Sequence, residues 1–93
     1  MSKRNRGQIM DDIFTTNTYK VLETMYDNTL AVAGKEYCPL SQAEIADDLG
    51  LSRVAVNKIY KELTEKGYIE MIARGKWKLT AQADNLIQVS KRL

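Results

Sequence analysis

Two glycines, Gly50 and Gly67, punctuate the second half of the chain and fix the lengths of the segments between them. Each closes a run with helical apolar spacing, and each of those runs opens on a serine. Ser41-Gln-Ala-Glu44 has the form of a capping box, in which the serine hydroxyl and the glutamate carboxylate satisfy free amides at a helix start. Leu40 before it and Ile45 within it have the spacing of a hydrophobic staple. This helix stops at Leu49-Gly50, where glycine supplies the left-handed turn. Leu51-Ser52 restarts a helix at once, with Ser52 as N-cap and Leu51 stapled to Val56, and it continues until Gly67. Two helices joined this tightly cross steeply. Ala46 and Ala55 are small enough for the close contact, and Ile45, Leu49, Leu51, Val56 and Ile59 supply an apolar wedge around it.

After Gly67 the period changes from 3.6 to 2. Tyr68-Ile-Glu-Met-Ile72 and Trp77-Lys-Leu79 alternate around Ala73-Arg-Gly-Lys76, which predicts a β-hairpin. Thr80 then caps a final helix over 81–92. Upstream, residues 1–8 have no apolar period and read as a flexible basic arm. Ile9, Met10, Ile13 and Phe14 form a short helical stripe, interrupted by Thr15-Thr-Asn-Thr18. A helix begins near residue 19 with Val21, Leu22, Met25 and Tyr26 inward; a break at Asp27-Asn28 and a continuation to Gly34 both fit the pattern. Pro39 keeps 36–40 extended. The expected order is helix, short strand, helix, turn, helix, hairpin, helix: a mainly α fold with a small β-hairpin. A chain of 93 residues holds one core, here over 9–93.

Several chemistries are excluded by residue supply. With one cysteine and no histidine, the chain can form no internal disulfide, assemble no usual zinc set and build no nucleophile–histidine pair. The carboxylate pairs Asp11-Asp12 and Asp47-Asp48 are adjacent in sequence and lack a basic partner motif. No enzyme, no cofactor and no small-molecule ligand are therefore expected. Cys38 is read as a small, partly buried hydrophobe, a redox-sensing thiol being the weakly motivated alternative. No apolar run reaches the about 18 residues that span a bilayer, and no apolar stretch follows the basic start, so a cytoplasmic protein without membrane contact is expected.

The net charge of +2 is less informative than its placement. Residues 1–10 carry +3, 11–50 carry −6 and 51–93 carry +5. Such asymmetry suits one polyanion-facing side and one solvated acidic side. At about 100° per residue, the helix after Ser52 turns Val56, Ile59, Tyr60 and Leu63 to the core. Arg53, Val54, Asn57, Lys58 and Lys61 fall together on the opposite side, with no acid among them. The chemistry matches a DNA major groove: Arg53 can fork onto guanine, Asn57 can pair with adenine, and Val54 can touch a thymine methyl. Lys58 and Lys61, as flexible point charges, suit phosphates. Ser52 at the head of this helix, and Ser41 and Gln42 at the head of the preceding one, join the expected DNA contacts through free amides and the helix dipole. The plain alternative is a solvated polar helix face.

The spacing of Ala46, Gly50, Val56 and Ile59 resembles that of helix-turn-helix proteins. The stretch 40–80, LSQAEIADDLGLSRVAVNKIYKELTEKGYIEMIARGKWKLT, is similar to the DNA-binding core of winged helix-turn-helix regulators of the MarR-like and Crp-like groups, and to some small plasmid replication initiators. The EKGYI after the second helix and the LT after the hairpin are closest to the MarR-like pattern. The resemblance implies a helix-turn-helix over 41–67, a reading helix over 53–66, and a wing over 68–80. It implies phosphate or minor-groove contacts from Arg74, Lys76 and Lys78, with Met71, Trp77 and Leu79 packing the wing onto the core. Trp77 could instead stack on nucleic acid. MarR-like proteins are longer, with extra terminal helices. A homodimer through the last helix (Leu86, Val89 and Leu93, with Ala83 and Ile87 as shoulder) or through residues 9–14 is expected, packing within the monomer being the other use of these seams. Lys3, Arg4 and Arg6 would then serve as a groove-seeking arm or a solubilising tail. The leading expectation is a sequence-specific, double-stranded DNA-binding transcriptional regulator; a replication initiator and a protein-interaction adaptor are the alternatives.

Overall fold

The computed structural model describes residues 16–92. The Ile9–Phe14 stripe, the basic arm and Leu93 lie outside the described residues. Helix α1 (Asn17–Asp27) is followed by strands β1 (Leu30–Val32) and β2 (Lys35–Tyr37). Helices α2 (Gln42–Leu49) and α3 (Arg53–Glu65) come next, then β3 (Ile69–Ala73), β4 (Lys76–Leu79) and α4 (Ala81–Arg92).

Each helix starts where a short polar side chain can accept a backbone N–H. Thr16 Oγ1 accepts from Tyr19 N, Ser52 Oγ from Ala55 N at 3.0 Å, and Thr80 Oγ1 from Ala83 N. The capping box of α2 is complete, with Glu44 N donating to Ser41 Oγ at 3.0 Å and Ser41 N donating to Glu44 Oε1 at 2.9 Å. Gly50 ends α2 at φ +69°, the left-handed conformation that lets the chain reverse into α3. Helix α1 breaks at Asn28, whose amide donates to the Thr24 carbonyl at 2.8 Å and closes the helix end.

That break makes room for an element the sequence pattern does not show. Residues after Asn28 form a first antiparallel hairpin, pairing Leu30 with Tyr37 and Val32 with Lys35. Ala33 and Gly34 make its two-residue turn, both at positive φ, a geometry that matches the twist of the strands. The second hairpin pairs Ile69 with Leu79 and Met71 with Trp77, with an irregularity between Met71 and Ala73. Cys38 N donates to the Trp77 carbonyl at 2.8 Å and stitches the two hairpins together.

One core joins all the helices and the wing base. It comprises Tyr19, Val21, Leu22 and Met25 of α1, Ile45 and Ala46 of α2, and Val56, Tyr60 and Leu63 of α3, closed by Cys38, Ile69, Leu79, Ala83 and Ile87. Burial pushes the Cys38 thiol above its ordinary range, so it packs as a neutral side chain. Along α4 the inward stripe is Ala83 and Ile87, continued by Ser90, whose hydroxyl accepts from Tyr19 Oη. Leu86 is half-buried and Val89 faces out.

The expected wing packing holds for Leu79, which is buried, and for Trp77, which meets Tyr60 edge-to-face with ring centroids 5.2 Å apart. It fails for Met71. This residue shares the sheet face of Ile69 but is 55% exposed, because the hairpin outruns the helices that cover its base. The Tyr60 hydroxyl is fully buried with no hydrogen-bond partner among the described residues. A buried, unsatisfied hydroxyl costs about 1–3 kcal/mol. Tyr60→Phe is therefore expected to raise the urea midpoint, stabilising the fold by about 1 kcal/mol; a lowered midpoint would mean that the hydroxyl is bonded after all.

Candidate nucleic-acid interface

Ser52 sets the phase of α3, and the phase decides what the helix shows. With Val56, Tyr60 and Leu63 buried, Arg53, Val54, Asn57, Lys58 and Lys61 are all exposed. Val54 is 81% exposed, a large apolar side chain held in solvent at the head of the helix. An apolar residue so placed has no core role and is free to make contact with a partner.

The cations among the described residues fall into two sets. Lys66 pairs with Glu62, Lys78 with Glu70 at 3.5 Å, and Lys91 with Asp27 at 3.3 Å. Arg53, Lys58 and Lys61 on α3 and Arg74 at the wing tip have no ion-pair partner among the described residues. Lys20, Lys35, Lys76 and Arg92 are also without one, but they are dispersed over α1, β2, β4 and the end of α4. Among the described residues, only on α3 do such residues share one helix face.

The wing divides its basic residues in a way that sequence reasoning did not anticipate. Successive residues of a strand point to opposite faces. Trp77 turns toward Tyr60 of α3, so Lys76 and Lys78 turn the other way. There they line a concavity with Val32, Glu36, Tyr37 and Ile72. The Lys76 ammonium lies over the Tyr37 ring, 5.2 Å from its centroid. Lys78 sits among acids: besides Glu70 it lies near Asp84, whose carboxyl is raised above its ordinary range by burial and then by Glu36, with Lys78 opposing the shift. Of the expected wing contacts, Arg74 at the turn is the one left exposed and unengaged.

The serines are engaged as caps. Ser41 and Ser52 spend their hydroxyl oxygens on Glu44 N and Ala55 N, and Glu44 brings a carboxylate to the head of α2. Gln42, next to Ser41, is different. Its Oε1 accepts a hydrogen bond from Asn57 Nδ2 at 3.3 Å, tying the head of α2 to the exposed face of α3. Gln42, Asn57 and Lys61 line an open groove between α3 and the wing, floored by Tyr60 and Trp77. Sequence reasoning named Gln42 and Asn57 separately; their contact depends on the crossing of the two helices. No cluster of three or more metal-ligating side chains occurs among the described residues.

A helix pair joined at a left-handed glycine, a hairpin packed beside the second helix, and a basic face on that helix without ion-pair partners among the described residues define a winged helix-turn-helix, the DNA-binding module of transcription regulators. The chain belongs to the family of the Crp-like helix-turn-helix domain, whose model matches residues 20–88. Among solved structures, the reduced (Fe(II)) CO-sensing protein from R. rubrum is similar in fold, with a TM-score of 0.64 at 20% identity. The match covers 91% of this chain and 40% of that one, so the chain spans well under half the length of that protein. No curated protein sequence matches the chain. Of the groups resembled in sequence, the Crp-like one is thus the family shown. None of the described helices is long and apolar enough to cross a membrane.

Proposed function

We propose that the chain is a sequence-specific regulator of transcription that binds double-stranded DNA by laying α3 in the major groove. The observation that carries this reading is the exposed α3 face, on which Arg53, Lys58 and Lys61 have no ion-pair partner among the described residues. On this reading Arg53 and Asn57 meet base edges, Val54 meets an apolar base edge, and Lys58 and Lys61 meet phosphates. Arg74 carries the wing to the adjacent backbone or minor groove. Lys78 is left out of the interface because Glu70 already neutralises it. Lys76 must leave the Tyr37 ring to reach DNA. The role is binding rather than catalysis. Crp-like membership supports the reading, as does the wing beside the reading helix. Two copies would read an inverted repeat, and the exposed Val89 beside half-buried Leu86 offers an apolar strip on α4 for such pairing.

The test is selection of bound duplexes from a random pool. A defined consensus is expected, inverted if the chain acts as a pair. Arg53→Ala is expected to relax one position of that consensus at a cost of about 1–3 kcal/mol. A pool that yields no consensus, or one unchanged by Arg53→Ala, contradicts the assignment of the reading face.

A further inference from the structure

We infer that Gln42 is a specificity-determining residue that acts through Asn57, fixing which way round the asparagine amide is presented to a base. This inference rests on the reading of α3 as the major-groove helix. The geometry behind it is the bond from Asn57 Nδ2 to Gln42 Oε1 across the helix crossing.

A primary amide has one oxygen and two N–H groups. To grip adenine, asparagine uses its oxygen and the N–H on the same edge, the oxygen accepting from N6–H and the N–H donating to N7. The second N–H points back toward the side chain's own stem and takes no part in that pairing. It is the proton that Gln42 Oε1 can accept while the reading edge stays whole. Asn57 is exposed and has no other side-chain bond among the described residues, so without Gln42 its amide can turn over by rotation about the terminal torsion. Turning over exchanges donor and acceptor along the reading edge. The exchange reverses the order in which N6 and N7 must be met, and with it the orientation of the base that fits. Gln42 can turn over too, but once its Nε2 donates to a phosphate, which only accepts, Oε1 is the group left facing Asn57, and the ambiguity is removed. Phosphate, Gln42 and Asn57 then form one bracket with a single polarity.

The bracket is not needed to hold the helices together. Gln42 is half-buried and Asn57 is exposed at positions outside the core, so substitutions there leave the fold standing. Glutamate at position 42 still accepts from Nδ2 but adds a negative charge near the DNA. Alanine accepts nothing.

The experiment is selection of duplexes from a random pool with the full chain and its Gln42→Ala, Gln42→Glu and Asn57→Ala variants. Asn57→Ala identifies the base-pair position that the amide reads. At that position the full chain is expected to prefer one orientation of an A·T pair, within the roughly 5- to 150-fold range of a bidentate contact. Gln42→Ala is expected to bring the two orientations to within about twofold of each other, and Gln42→Glu to keep the preference at a lower overall affinity. The inference is overturned if Gln42→Ala weakens all sequences equally and keeps the orientation preference, which would make Gln42 a phosphate contact alone. It is also overturned if Gln42→Glu loses the preference along with Gln42→Ala. If Asn57→Ala changes no position of the consensus, the assignment of the reading face has failed instead, a result distinct from the other two.

Discussion

Replacing Lys58, Lys61 and Arg74 together by alanine is expected to lower the salt dependence of duplex binding by about 3 units of log affinity against log salt. Each phosphate contact releases condensed counterions, with a slope near −0.9 per contact on B-form DNA. Across a fourfold rise in salt, from about 50 to 200 mM, three lost contacts remove roughly 40-fold of the affinity change. The three residues are exposed and make no ion pair among the described residues, so the substitutions remove charge without orphaning a partner. Base preference should survive, because the edges are read by other side chains. Titration of one duplex at several salt concentrations checks this. An unchanged slope would place the phosphates elsewhere on the molecule.

Tyr60→Ala is expected to have the largest effect on stability, costing about 3–5 kcal/mol, the range for deleting a buried aromatic ring. A domain of this size has only about 5–15 kcal/mol in total. Tyr60 is 2% exposed and stands under the edge of Trp77, so its loss empties the joint between α3 and the wing. Urea unfolding of the variant measures the cost. A loss below about 1 kcal/mol would mean that neighbouring side chains refill the space. The contrast with Tyr60→Phe separates ring from hydroxyl: the ring holds the fold, and the hydroxyl works against it.

The parts of this architecture legible in the sequence are those whose signals are local. Ser41 and Glu44 cap α2, Gly50 turns the chain, and Ser52 sets the phase of α3, all within a few residues of each other. Phase alone then separates Arg53 and Asn57 from Val56 and Tyr60. The strand β1 is not legible for an equally local reason. Leu30 and Val32 are exposed, so no inward–outward alternation marks the strand. Ala33 in its turn occupies the left-handed region with a residue that rarely goes there, while Gly34 imitates a helix stop. The surroundings of the wing residues depend on partners distant in sequence. The neutralisation of Lys78 needs the hairpin register that sets it opposite Glu70, and the exposure of Met71 needs the reach of the helices beneath it. The Gln42–Asn57 bond likewise appears only when two helices cross.

The central claim is that the exposed face of α3 is where DNA sits. Backbone amide resonances followed while a mixed-sequence duplex is added test it most directly. The largest shifts are predicted at Arg53, Val54, Asn57, Lys58 and Lys61, with a second group at the Arg74 turn, all fading as salt is raised. Shifts centred instead on α4 around Val89 or on the Tyr37–Lys76 concavity, or no shifts at low salt, would contradict it.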